Sequence, residues 1–298
     1  VADPIVTLNG ITLHPPAADG TGYSLEDQNG TSGLDGWYGA PTMKSTFVAR
    51  PSGHGSYAGP SDGDVRVVTA SGTLVAATSA GLLQAQEQLA AICPDRTLLY
   101  TLQVIDDNGT RVASVKRTGA VLIKPISQLA AGFSFVVTAP DPYKYDPNAV
   151  TGSTPLASAA SGLDFVTGGG LDFVTGGGLN FGTVTSTGAF TLTNSGTAPS
   201  APTWTLQGPL TNPTITNAAT GQQLAYTGSL GASDTVVITT NPLVGRTVIL
   251  NGSTDRRPYL TTAQWFSVPA GTSVTVQLSS TNPGDTGTLA GSILPAYW

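Results

Sequence analysis

The chain has 298 residues, a formal net charge of −6, a charged fraction of 10% and a hydrophobic fraction of 40%. That length points to two domains with real cores, under a surface of Thr, Ser, Asn and Gly that charge repulsion defends poorly against association. No basic run exceeds Arg256-Arg257, no apolar run nears the ~18 residues of a membrane span, and VADPIVTLNG lacks the basic-then-apolar pattern of a secretion signal; specific nucleic-acid binding, a membrane partner and a signal peptide are therefore not expected.

A short β-like start covers Ile5 to Leu13, and the stretch from Pro15 to Gly63, with GWYGAP at 36–41 and SGHGSYAGP at 52–60, reads as long loops. Trp37 and Tyr38 in such a loop either cover the edge of a core or anchor a partner. From Val65 the pattern is strand: VRVVTA, a turn at Ser71-Gly72, then TLVAAT. SAGLLQAQEQLAAICP predicts a helix whose buried face holds Leu82, Ala85, Leu89 and Ile92, stopped by Pro94. RTLLYTLQVI alternates Leu98, Tyr100, Leu102 and Val104 onto one face, and Asn108-Gly109 turns it into RVASVKR as a hairpin. VLIKPIS and FSFVVTAP add two strands, and several short strands with one helix predict a barrel, which removes exposed edges. Cys93 is the single cysteine, so no internal disulfide forms; with no nearby His and an apolar neighbour it reads as a buried small hydrophobe.

Between residues 162 and 182 an eight-residue unit is written almost three times, GLDFVTGG, GLDFVTGG, GLNFGT, with Phe165, Phe173 and Phe181 in register and triple glycines at 168–170 and 176–178. Glycine runs cost a buried strand entropy and packing. The stretch reads as a tether, or as Leu-Asp-Phe pieces docked on a neighbouring domain with glycine hinges between them. The expected division is 1–150, a β-barrel domain; 151–182, a Gly-rich linker; and 183–298, a second β domain.

In that last segment AFTLTN, PTWTLQG, TITNAA, QLAYTG, DTVVITT, TVILNG, QWFSVPAG, SVTVQLSS and TLAGSIL are short, β-prone and bounded by turn residues, which predicts an antiparallel β-sandwich. Trp204 and Trp265 are expected between the sheets, or as a platform for a sugar ring.

No catalytic, cofactor-binding or metal-binding residues emerge. His14 and His54 are the only histidines and lie far apart on loops without a ligand spacing around them. Asp106 and Asp107 are adjacent in a turn and do not flank a bond as an acid and base must. There is no GxSxG, P-loop or HExxH.

The order of three stretches, GWYGAP, then VRVVTASGTLVAATSAGLLQAQEQLAAIC, then FSFVVTAPDPYKYD at 133–146, followed by NSGTAPSAP, VILNG, QWFSVPAG and ILPAYW, resembles the distal tail protein (Dit) family of long-tailed bacteriophages. The resemblance implies a structural virion protein of the phage tail without catalysis. Its N-terminal β-barrel, akin to tail-tube subunits, would form a homo-oligomeric ring of six. The ring would join the tail tube protein to tail-tip or baseplate proteins, and a galectin-like sandwich would project outward. Some members carry carbohydrate-binding inserts there, so a host-surface glycan is a second partner class. A ring that passes DNA would avoid a basic lumen; Arg66, Arg96, Arg111 and Arg117 are then expected to pair with acidic groups or to lie at subunit contacts.

Overall fold

The structure, a computed structural model, describes residues 3–26, 33–95, 97–159 and 184–298. They divide into two units, residues 1–147 with Tyr297 and Trp298, and residues 148–296.

The first unit opens with β1 (Ile5–Leu8) and β2 (Ile11–His14), a hairpin turned by Asn9 and Gly10, both at positive φ. Short β3 (Gly22–Ser24) and β4 (Leu34–Asp35) precede the ribbon β5 (Met43–Ala49) and β6 (Ser56–Gly63). Then come β7 (Arg66–Val75), α1 (Ser79–Ala90), β8 (Tyr100–Asp106), β9 (Gly109–Arg117), β10 (Leu122–Pro125), β11 (Ala130–Ala139) and β12 (Lys144–Tyr145). The sheet runs β2-β1-β8-β9-β11-β7-β3, with β4 also on β7, β10 on β11, and β12 on β9, and curls into a nearly closed barrel. Alternate residues point inward: Val6, Leu8, Val68, Leu74, Leu102, Val104, Val115, Phe133, Phe135 and Val137 fill the core, and Leu82, Leu89 and Ile92 lie against it. The Thr78 hydroxyl caps α1 by accepting from the Gly81 amide at 3.1 Å. Leu98, expected inside, is exposed, and the β8–β9 turn is Asp107-Asn108, with Gly109 at φ +98° opening β9.

Two expectations fail here for physical reasons. Ser71-Gly72 makes no turn: β7 runs straight through it, paired with β11 from Ala130↔Val75 to Ala139↔Arg66. Gly72 is needed because a Cβ there would sit on the Ser24 carbonyl oxygen of β3, a close backbone approach rather than a reversal. And the stretch expected to be loop holds the β5–β6 ribbon, whose residues are nearly all exposed. No core lies under it, so no side-chain alternation was written into the sequence; backbone pairing alone makes it.

The second unit begins with β13 (Val150–Pro155) and β14 (Ser158–Ala159), and resumes at β15 (Val184–Ser186). Then follow β16 (Ala189–Thr193), β17 (Thr203–Gln207), β18 (Leu210–Thr211), β19 (Thr214–Asn217), β20 (Gln223–Tyr226), β21 (Ser229–Leu230) and β22 (Thr235–Thr239). It ends with β23 (Val248–Leu250), β24 (Thr254–Asp255), β25 (Leu260–Ala263), β26 (Ser273–Ser279) and β27 (Thr288–Ile293). One antiparallel sheet runs β13-β27-β17-β22-β23-β24 and the other β16-β26-β19-β20-β25. Trp204, Leu206, Val236, Ile238 and Leu289 of the first join Leu192, Ile215, Leu224, Val276 and Leu278 of the second in one core, as the alternating runs predict. The run QWFSVPAG is not a strand; only Val268 bridges, to Ser200, while Phe266 and Val268 are buried.

The division differs from the expected one at both ends of the second unit. The chain enters that unit at Asn148, and β13, all but its first residue inside the span assigned to a linker, pairs with β27 along its whole length. Tyr297 and Trp298 return to the first unit, where β28 (Ala296–Tyr297) pairs with β12. The glycine-rich repeat lies outside the described residues; its flanks are both in the second unit, where Ser158 pairs with Ser186 and Ala159 with Val184. The tether reading for a join between domains therefore has no counterpart in this connectivity, because the chain has crossed into the second unit before the repeat starts.

Candidate functional site

The motifs GWYGAP and DPYKYD meet in the first unit. Arg66, the first residue of β7, is wholly buried, and its Nη1 donates to the carbonyls of Gly36 (2.9 Å), Trp37 (3.1 Å) and Gly39 (2.7 Å) while its Nε donates to Pro142 O (2.9 Å). Lys144 Nζ donates to the same Trp37 carbonyl at 3.0 Å and stands 5.5 Å from the indole centroid. Burial, helped by repulsion from Arg66 and Arg111 and opposed by Asp106, brings the Lys144 ammonium down to about 8. Two cations thus hold a loop by carbonyl oxygens, with Arg66 Nη2 left without a partner. Trp37 is core and Tyr38 is exposed.

The same corner takes the chain's last residues. Arg111 lies over the Tyr297 ring at 3.7 Å and reaches Asp146 at 3.6 Å, and Trp298 meets Tyr143 edge-on at 4.7 Å. Tyr145 donates to Asp141 at 2.7 Å, while burial raises the Asp141 carboxyl above its ordinary value. Of the arginines expected to pair with acids, Arg111 does so, Arg117 instead donates to the Ala90 carbonyl at 2.9 Å, and Arg96 lies outside the described residues. Arg66 departs from the expectation: carbonyl dipoles take the place of a carboxylate, and full burial removes it from any subunit surface.

The β5–β6 ribbon presents Met43, Phe47, Val48 and Tyr57 to solvent, with Arg50 at 5.3 Å from the Tyr57 centroid and Lys44 paired to Asp64 at 2.7 Å. A two-stranded ribbon is marginal in water on its own, so its exposed rings mark the first unit's most obvious contact surface.

In the second unit Trp204 is fully buried, flanked by Phe190 and Phe266 with ring centroids at 6.3 and 5.7 Å, and is no sugar platform. Trp265 is half-buried, and two guanidinium carbons stand over its ring, Arg246 at 5.4 Å and Arg257 at 4.7 Å; Arg256 stands 4.6 Å from the Tyr259 centroid. Arg246 Nε and Arg256 Nε are buried and have no acceptor, an arrangement that costs about 1–3 kcal/mol for each donor left unpaired. Trp265 also lines a groove of about 410 Å³ with Asn217, Thr220, Gln222 and Ser267. The sequence held a signal for this cluster that composition alone passes over: Arg246, Arg256 and Arg257 are the only basic residues between positions 148 and 296.

Among the described residues no catalytic grouping accompanies these features. His14 is buried and accepts from the Leu25 amide at 3.3 Å, His54 is exposed at the tip of the β5–β6 ribbon, and Asp106 and Asp107 lie at the β8–β9 turn. Cys93 is buried, which raises its thiol above the ordinary range. Among the described residues no group of three or more His, Cys, Asp or Glu side chains is placed to hold a metal ion.

Residues 195–286 match the family model of the SPP1_Dit siphovirus-type tail component, C-terminal domain. No curated protein sequence matches the chain. Among solved structures, the SPP1 Dit protein (gp 19.1), described as a paradigm of the hub adsorption apparatus in phages that infect Gram-positive bacteria, superposes with a TM-score of 0.65 at 11% identity, covering 97% of this chain and 98% of that one. The phage P2 baseplate in its activated conformation with Ca gives a TM-score of 0.44 at 11% identity over 85% of this chain and 86% of that one. At such identities a likeness speaks for shared fold, and the 0.65 superposition extends it over both units. Over residues 195–286 the chain is similar to the C-terminal domain of the siphovirus-type tail components, and it shares the fold of the SPP1 Dit protein.

Proposed function

We propose that this protein is a structural hub of a long, non-contractile phage tail, without catalysis, its place being the virion. The first unit forms a homo-oligomeric ring of six, the ring joins the tail tube to tail-tip or baseplate proteins, and the second unit is a galectin-like sandwich. The observation that carries this reading is the tail-component match over residues 195–286. Two features support it. The β5–β6 ribbon carries exposed Phe47, Val48 and Tyr57 with no core beneath them, and the charged fraction of 10% leaves surfaces suited to cover by partners.

Light scattering of the purified chain at micromolar concentration, with negative-stain images of the same sample, tests the ring. Six copies in a closed ring are expected; a monomer at every concentration and no ring in the images would sink it. A second reading, a glycan-binding role for the second unit, is favoured by the groove beside Trp265, whose lining of amides and hydroxyls suits sugar hydroxyls.

A further inference from the structure

The second unit has three basic side chains, and the fold gathers all of them. The Arg256 amide donates to the Val248 carbonyl at 2.7 Å, which lays Arg256 and Arg257 beside the turn that carries Arg246. Trp265, just after β25 in the chain, supplies the ring over which Arg246 and Arg257 stand, and Tyr259 the ring under Arg256.

The unit's described carboxylates are committed elsewhere. Asp234 accepts from the Gly231 amide at 2.8 Å and from Asn251 Nδ2 at 2.9 Å, and Asp255 from the Arg257 amide at 2.8 Å. Asp285 accepts from the Thr211 amide, from Ser280 Oγ and from Asn282 Nδ2. Arg256 helps to hold Asp234 below the usual carboxylate range, after its hydrogen bonds to Asn251 and Gly231, yet among the described residues the ion pairs of side chains are Lys44–Asp64 and Arg111–Asp146, both in the first unit. Three guanidiniums therefore share one patch, and among the described residues none of them is in an ion pair with a carboxylate. A guanidinium that lies face-on to a ring keeps its in-plane N–H fork, the group that matches the paired oxygens of a carboxylate or phosphate.

The ring under two of these guanidiniums also walls the groove that Asn217, Thr220, Gln222 and Ser267 line. Anion-binding donors and a neutral, hydroxyl-compatible groove thus share Trp265. We propose that this face of the second unit binds an acidic carbohydrate, its carboxylate or phosphate on the Arg246–Arg257 pair and its neutral sugar hydroxyls in the groove. The inference rests on the glycan reading of the second unit and is independent of the ring reading. Arg256, stacked on Tyr259, adds positive potential at the edge and takes a second acidic group of the same chain.

Isothermal titration of the full chain in low salt distinguishes the outcomes, with four probes: a hyaluronan tetrasaccharide, glucose 6-phosphate, maltotetraose and a short polyglutamate peptide. The expected result is binding of the hyaluronan fragment or the sugar phosphate and none of maltotetraose, with affinity falling as salt rises. Affinity should drop at least tenfold in Arg246→Gln and Arg257→Gln. Gln keeps the aliphatic stem, and a thermal melt unchanged within a few degrees shows that each variant is folded; Arg257→Lys, which keeps charge without the fork, should fall between. Maltotetraose bound as well as the acidic probes, with no effect of the Gln variants, keeps the glycan reading and overturns this one. Polyglutamate bound more tightly than either sugar makes the patch a protein contact and overturns it. No binding of any sugar overturns both.

Discussion

Arg66 Nη1 and the carbonyl oxygen of Trp37 lie 3.1 Å apart in the interior of the first unit, and among the described residues no carboxylate shares the contact. That bond fixes a loop with no regular structure of its own onto the start of β7, and Lys144 reinforces it from β12. Replacement of Arg66 by Met takes a donor from four carbonyls at once, those of Gly36, Gly39 and Pro142 losing the guanidinium outright and that of Trp37 keeping Lys144 Nζ. The expected loss is about 3 kcal/mol or more, because each buried acceptor left without a partner is costly. Urea denaturation measures it, and a loss under about 1 kcal/mol would show that water or loop movement replaces the guanidinium.

Lys144 makes stability depend on pH in a predictable direction. Its proton is held with a value of about 8 in the folded chain against an ordinary 10.5. Between those values the unfolded chain binds more protons than the folded one, so stability rises with pH across that window. Below 8 both states are protonated and the penalty of the buried cation is fully present. The stability of the wild type minus that of Lys144→Met should therefore be flat below pH 8 and rise by about 1–3 kcal/mol toward pH 10.5. Taking the difference cancels tyrosine ionisation in the same range. A flat difference throughout would mean that Lys144 is solvated.

Gly72 sits in the middle of β7, where any Cβ would strike the Ser24 carbonyl. Gly72→Ala should push β3 off the sheet edge and lower stability by about 1–3 kcal/mol, although alanine is no worse than glycine in an unconstrained strand. Hydrogen exchange should show lost protection at Gly22–Ser24, which pair with Thr73–Val75, before it shows loss on the β11 side. Unchanged protection at β3 would contradict the close approach.

Ala159 and Val184 are paired across β14 and β15, so a short turn can join them. A chain in which residues 160–183 are replaced by Asn-Gly should keep the second unit folded, and a shorter loop costs less to close. Its thermal melt is expected to be no lower than that of the wild type. A second unit that fails to fold would show that the repeat packs as part of the sandwich rather than as an insertion in it.

The sequence by itself determined what depends on neighbours along the chain. The period of Leu82, Leu89 and Ile92 marked α1, the alternation through Leu102 and Val104 marked β8, and the turn-bounded runs from Ala189 onward marked a sandwich with Trp204 between its sheets. Those patterns exist because each element buries one face. The tertiary structure decided what no period encodes. Ser71-Gly72 looks like a turn until β11 pairs straight along it, and β5 and β6 bury nothing, so they left no alternation to read. Domain membership depends on pairings as distant as β13 with β27 and on Tyr297 returning over Arg111. Arg66 finds carbonyl acceptors contributed by residues 36 to 39 and by Pro142, and backbone acceptors have no residue identity to search for. Arg246 and Arg257 become one patch only because the chain folds back over Trp265, and a charge has no direction until the backbone gives it one.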